Sequence, residues 1–141
     1  MLTATASAVP QVRQRRARAL GAVAGVLAAV LAWIVEVPLL GIRLDVRFGG
    51  GHPQTIAIGE VIGVSVVASA LGWLLLTLIE RRTARARVLW TAIALAALAA
   101  SLALPLAVAT TSSAVAGLIV LHLIVGAVVI PGLARTARSG N

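Results

Sequence analysis

Three ionisable residues stand inside long apolar runs: Glu36, Glu60 and His122. A charge at membrane depth costs at least a few kcal/mol, so such a group normally faces a partner or a water-filled cavity. Glu36 lies about 16 residues into its run, roughly 24 Å from the inner end, and Glu60 about one turn into the next. Both carboxylates therefore reach similar depths near one boundary, beneath a connecting segment that carries Arg43, Asp45 and Arg47, with His52 close in sequence. Two kinds of chemistry fit: an ion, proton or ligand site, or salt bridges pinning the connection onto the helices. The guanidinium fork suits bidentate carboxylate pairing, so at least one of Glu36 and Glu60 is expected to pair with Arg43 or Arg47. The spacings of Glu36, Glu60 and His52 match no metal-ligand motif, and no metal site is expected.

His122 lies about nine residues into the last run, roughly 14 Å deep and near the midplane. It is expected to face the interior, where Gly126 lets a neighbouring helix approach and a serine such as Ser101 or Ser69 accepts or donates a hydrogen bond. A proton relay or an axial haem ligand is the functional alternative. With no second histidine in an apolar run, bis-histidine haem is disfavoured, and no cofactor is expected.

The elements that position these residues follow from composition. Of 141 residues, 60% are hydrophobic and 11% charged, with mean hydropathy +1.06, which places the chain in lipid rather than among soluble domains. The net charge of +8 comes from 12 basic residues, all arginine. Without lysine there is no Schiff-base chemistry, and without cysteine there are no disulfides, thiol nucleophiles or iron–sulfur clusters. Tyrosine is absent and aromatics are 3%, so bases have no stacking platform and nucleic acid is not the expected partner. The arginines cluster at the ends of apolar runs, where they read as topology signals and anchors for anionic lipid headgroups.

A basic leader, 1–18, precedes a transmembrane domain over 19–134, with spans at about 19–40, 56–79, 88–109 and 113–133, and a tail at 135–141. The leader looks like the start of a signal peptide, with Arg15-Arg16 similar to a twin-arginine signal. The apolar run behind it is too long for one, and an uncleaved first helix is expected. Ten arginines fall in the leader, the second-to-third connection (Arg81, Arg82, Arg85, Arg87) and the tail (Arg135, Arg138), against Arg43 and Arg47 opposite. Both termini are therefore expected in the cytoplasm.

The connection between the first two spans alternates apolar and charged residues from Ile42 to Phe48 and then turns at Gly49-Gly50-Gly51. With Gln54 to Ile58 as a return strand, it predicts a short extracellular β-hairpin. A lone two-stranded hairpin is marginal unless it packs on something. Small residues at helical spacing, Gly21, Gly25, Ala29 and Ala32 on a stripe that continues to Glu36 in the first span and Gly59, Gly63, Ser65, Ser69 and Gly72 in the second, predict close packing faces. The expected fold is an all-α membrane protein, a four-transmembrane-helix bundle capped by that hairpin. Trp33, Trp73 and Trp90 fit interfacial belts or packing, and Ser101 with Pro105 marks a tolerable kink.

Leu71-Gly72-Trp73, the Glu80-Arg81-Arg82-Thr83-Ala84-Arg85 exit with Trp90, the stretch Ser101 to Leu106 and the segment His122 to Leu133 together resemble a family of small four-span actinobacterial membrane proteins of unknown function. The resemblance covers Leu20 to Arg135 and implies a four-helix membrane fold and no known activity. Its pattern includes the positions of Trp73, Pro105 and His122 but assigns them no role.

Three functions compete. The foremost is a non-catalytic interaction, assembly or envelope-maintenance protein in a bacterial plasma membrane, with the bilayer, a second copy or another membrane protein as partner. The second is a small transporter or channel using Glu36, Glu60 or His122. Compact four-span multidrug exporters carry a carboxylate in their first helix, but they and the small fluoride channels show little of the arginine bias found here. A membrane oxidoreductase or hydrolase comes last because no paired catalytic groups are present, and no catalytic residue is assigned.

Overall fold

The computed structural model describes residues 8–137; 1–7 of the leader and 138–141 of the tail, Arg138 included, lie outside the described residues. Four helices are long and apolar enough to cross a membrane: Gln11–Leu39, Ile58–Glu80, Ala86–Val108 and Ser112–Ala134. A helix of 23 residues such as Ile58–Glu80 extends about 35 Å, against a hydrocarbon core of about 30 Å. Their outer faces carry large apolar side chains, with Leu20, Val64 and Val88 exposed by 69%, 68% and 71%. Surfaces of that kind are stable against lipid rather than water.

The chain runs α1 (Ala8–Ile34), a π-helical turn (Val35–Leu39), β1 (Asp45–Val46), β2 (Gln54–Thr55), α2 (Ile58–Glu80), α3 (Ala86–Ser101), α4 (Ala103–Val108) and α5 (Ser112–Ala134). α1 begins inside the basic leader, so Arg13 to Arg18 are helical. Pro38 has no N–H to give the carbonyl one turn back. The chain widens there, and the Leu40 N–H bonds to the Val35 carbonyl at 3.0 Å. The third span is interrupted only at Leu102, three residues before buried Pro105. Thr111 caps α5 by accepting from the Ala114 N–H at 3.1 Å.

α5 lies against all the other long helices, most extensively α1, while α2 touches α1 and α3. The small stripe of α1 is what permits this, and Gly25, Ala29 and Ala32 are all buried. A Cβ on Gly21 would stand 3.7 Å from the Gly132 backbone, and one on Gly25 would collide with Val129 Cγ2. The stripe of α2 is only partly as expected. Ser65 and Ser69 are buried and Gly72 lies beneath Trp90, but Gly59 and Gly63 are exposed with nothing within 4 Å. Gly63 precedes Ser65 by two residues, about 200° around the helix, so one face cannot hold both.

The hairpin is present in shorter form than the alternation suggests. Asp45 pairs with Thr55 and Val46 with Gln54, antiparallel, and Gly49 turns the chain at φ +58°, a conformation glycine adopts without a Cβ penalty. Leu44 and Val46 are fully buried and join Ala32, Leu118 and Leu121 in one apolar cluster, while Leu76, Ile79, Ala86, Trp90, Leu133 and Ala134 form a second at the opposite end.

The glycine contacts lead to a prediction that thermal unfolding in detergent can check. Gly25→Val should lower stability by about 1–3 kcal/mol through overpacking, with part of the loss restored by Val129→Ala. Gly63→Ala should be neutral or stabilising, since it fills open space and favours the helix.

Candidate functional site

At the hairpin end, the polar cluster expected from sequence does not assemble. Glu36, on the π-helical turn, is 5% exposed, and both of its carboxylate oxygens lack a hydrogen-bond partner. Leu44 and Ile42 pack where an arginine was expected: a Cβ on Gly117 would stand 2.7 Å from Leu44 Cδ2, 3.3 Å from Glu36 Oε2 and 3.5 Å from Ile42 Cγ2. Neither Arg43 nor Arg47 pairs with Glu36 or Glu60 among the described residues. Arg43 Nε instead bonds Asp45 Oδ2 at 3.3 Å, and Asp45 Oδ1 accepts from the Thr55 hydroxyl. Arg47 is exposed, as is His52 on the loop. Glu60 serves its own helix, with Oε2 accepting from the Ala57 N–H at 2.9 Å.

The reason is the pleat. Successive side chains on a strand point to opposite faces, so burying Ile42, Leu44 and Val46 turns Arg43, Asp45 and Arg47 away from Glu36. The same alternation that predicts the strand forbids the pairing.

His122 is half-buried, and its ring Nδ1 lies 2.6 Å from the Leu118 carbonyl one turn back. Its polar partner is therefore on its own helix rather than a serine across the interface. Ser101 Oγ donates to the Leu98 carbonyl at 2.7 Å, and Ser69 Oγ is buried without a partner beside Gly25.

The best-built polar site lies at the other end. Arg18, on α1 and 5% exposed, donates from all three guanidinium nitrogens: Nη2 to Glu80 Oε1 at 2.6 Å and the Thr136 carbonyl at 3.4 Å, Nη1 to Thr77 Oγ1 at 3.2 Å, and Nε to Thr136 Oγ1 at 3.2 Å. Gln14, one turn earlier, donates to the Thr136 carbonyl at 2.9 Å and reaches Glu80 Oε1 at 3.5 Å. The side chains of the Arg18–Glu80 pair are 6% and 7% exposed. Three elements, α1, α2 and the segment after α5, converge on one guanidinium. Beside it a cavity of about 450 Å³ is lined by Gln11, Gln14, Arg15, Arg18, Trp73, Thr77, Glu80 and Arg81. From composition Arg18 reads as a topology signal and headgroup anchor, not as half of a buried pair. The signal was available: the stripe Gly21, Gly25, Ala29 continues backwards to Arg18 and Gln14, and Glu80 is the acid among the arginines of that end.

Residues 9–139 match DUF6069, a family of unknown function. The chain belongs to that family. No curated protein and no solved structure matched it. The DUF6069 match spans all four long helices and both polar sites, and it brings no residue role with it, so the chemistry rests on the geometry above.

The two buried acids of this DUF6069 chain should respond oppositely to removal. Glu80→Gln alone should destabilise by about 3–5 kcal/mol by removing the carboxylate that faces the buried Arg18 guanidinium, Arg18→Gln should also destabilise, and the double change Arg18→Met/Glu80→Met should cost far less than the sum. Glu36→Leu should raise stability by about 1–3 kcal/mol, because it deletes an unsatisfied polar group. Unfolding titrations in bicelles distinguish these outcomes, and additive Arg18 and Glu80 effects would contradict the clamp.

Proposed function

We propose that this is a non-catalytic membrane protein of interaction, assembly or envelope maintenance. It spans a bacterial plasma membrane four times as a helix bundle, with both ends cytoplasmic and the hairpin outside. The observation that carries this reading is the seating of the hairpin. Leu44 and Val46 are fully buried between the helices, and the Arg47 N–H bonds the Val108 carbonyl at 2.7 Å. A wedge held at that depth closes the outer end rather than gating it. The Arg18 clamp closes the inner end by spending its charge on fixed partners. The arginine bias supports the orientation, and an actinobacterial source agrees with the resemblance of its motifs.

A second reading, a small transporter or channel, is favoured by Glu36. A carboxylate with both oxygens unsatisfied costs several kcal/mol, and unsatisfied buried groups cluster where function outweighs stability. Here it would be the ion or proton site.

Reporter fusions at the C-terminus and within Gly49 to Gly51 should report cytoplasm and exterior respectively. Proteoliposomes holding a pH-sensitive dye should show no proton flux above protein-free vesicles. Flux that is present in the wild type and abolished by Glu36→Gln would replace the first reading with the second.

A further inference from the structure

We infer that the cavity beside Arg18 is a binding site for the phosphate of an anionic phospholipid headgroup. The proposal rests on the membrane-spanning reading above and adds a ligand to it. Three arginines and one glutamate line the cavity, and the glutamate is already engaged by Arg18 at 2.6 Å. Arg15 and Arg81 both line the cavity and are exposed, one from α1 and one just after α2, and neither forms an ion pair among the described residues. Two unspent guanidinium groups facing one cavity make a fork for a phosphodiester. Gln11 adds an amide group on the α1 wall, while the amide of Gln14 is held by the Thr136 carbonyl and Glu80.

The place of the cavity argues for a lipid rather than a soluble anion. It lies where two spans reach their charged ends, at headgroup level. Trp73, about two turns before Glu80 on α2, also lines it, and an indole ring favours the boundary between headgroup and chain. Beyond it, Leu20, Leu74 and Leu78 are exposed on the outer faces of α1 and α2, giving acyl chains an apolar surface. The Arg18 clamp ties α1 to α2 beside the cavity, so the two helices that carry Arg15 and Arg81 are held together before ligand arrives.

The test uses the full chain purified in a neutral detergent, with thermal unfolding followed during titration with dioleoylphosphatidylglycerol, dioleoylphosphatidylcholine or inorganic phosphate. The wild type should be stabilised in a saturable way by phosphatidylglycerol and not by the other two. In Arg15→Gln/Arg81→Gln, affinity for phosphatidylglycerol should fall roughly 30-fold, the equivalent of about 1 kcal/mol per arginine. The charge-matched control Arg13→Gln/Arg16→Gln should bind as the wild type does. All three proteins should unfold at the same temperature without lipid, because the four arginines are exposed.

Equal stabilisation by inorganic phosphate would overturn the lipid assignment in favour of a soluble anion. Equal loss in the control pair would show diffuse charge attraction rather than a site, and would overturn the proposal. Inverted reporter topology with intact lipid binding would remove the orientation and leave the site standing.

Discussion

The approach of α1 to α5 through residues that carry almost no side chain is the contact on which both polar sites depend. Lipid supplies no hydrophobic force between helices, so close packing must hold them together. Gly21 against Gly132 and Gly25 beneath Val129 let the two backbones come near. One end of that contact brings Thr136 against Arg18; the other brings Gly117 against Glu36. A larger residue at Gly25 would spread the helices and open both sites at once.

The two ends handle buried charge in contrasting ways. Arg18 satisfies a nitrogen fork with a carboxylate, two hydroxyls and a carbonyl, so desolvation is met by directed bonds. Glu36 has no hydrogen-bond partner for either carboxylate oxygen, and Oε2 lies beside Gly117. A satisfied pair rigidifies the place where it sits, whereas an orphan carboxylate is a standing cost. The π-helical turn under Glu36 carries the same signature, a local departure from regular helix that often accompanies function. The satisfied buried charge lies at the Arg18 end, and the unsatisfied one at the hairpin end.

The four long helices were legible because a run of about 20 apolar residues has few alternatives to spanning, and the small stripe of α1 was legible because only close packing rewards it. The stripe of α2 was misread by joining Gly59 and Gly63 to Ser65, which ignores their angular offset. The Glu36 and Glu60 pairings failed for a related reason. Proximity in sequence and depth suggested a partner, but strand alternation decides which way a side chain points. The Arg18–Glu80 pair joins α1 to the end of α2, a separation no local pattern encodes. Its one-dimensional trace was the continuation of the α1 stripe into a leader that composition marks as merely basic. His122 was placed on the right helix, yet its bond to Leu118 is a local option open to any histidine there and could not be told from a cross-helix bond.

Why the hairpin persists with only two paired residues per strand follows from backbone accounting. A two-stranded ribbon leaves two open edges, and unpaired N–H and C=O groups near a bilayer are expensive. β1 avoids this by pairing on both sides. One edge meets β2; the other meets the connection into α5, through the bridge of Val46 with Ala109 and the bond from the Thr110 N–H to the Asp45 carbonyl at 3.0 Å. The Thr110 hydroxyl donates to the same carbonyl at 3.1 Å. The strand is thus hydrogen-bonded along both edges, by β2 and by the connection into α5, and Leu44 and Val46 drive it inward. Its marginal length is tolerable because the apolar cluster beneath supplies the stability that a free ribbon lacks. That cluster exists only because Gly117 leaves room for Leu44, so the absence of one side chain on α5 positions the hairpin, buries Glu36 and denies it an arginine.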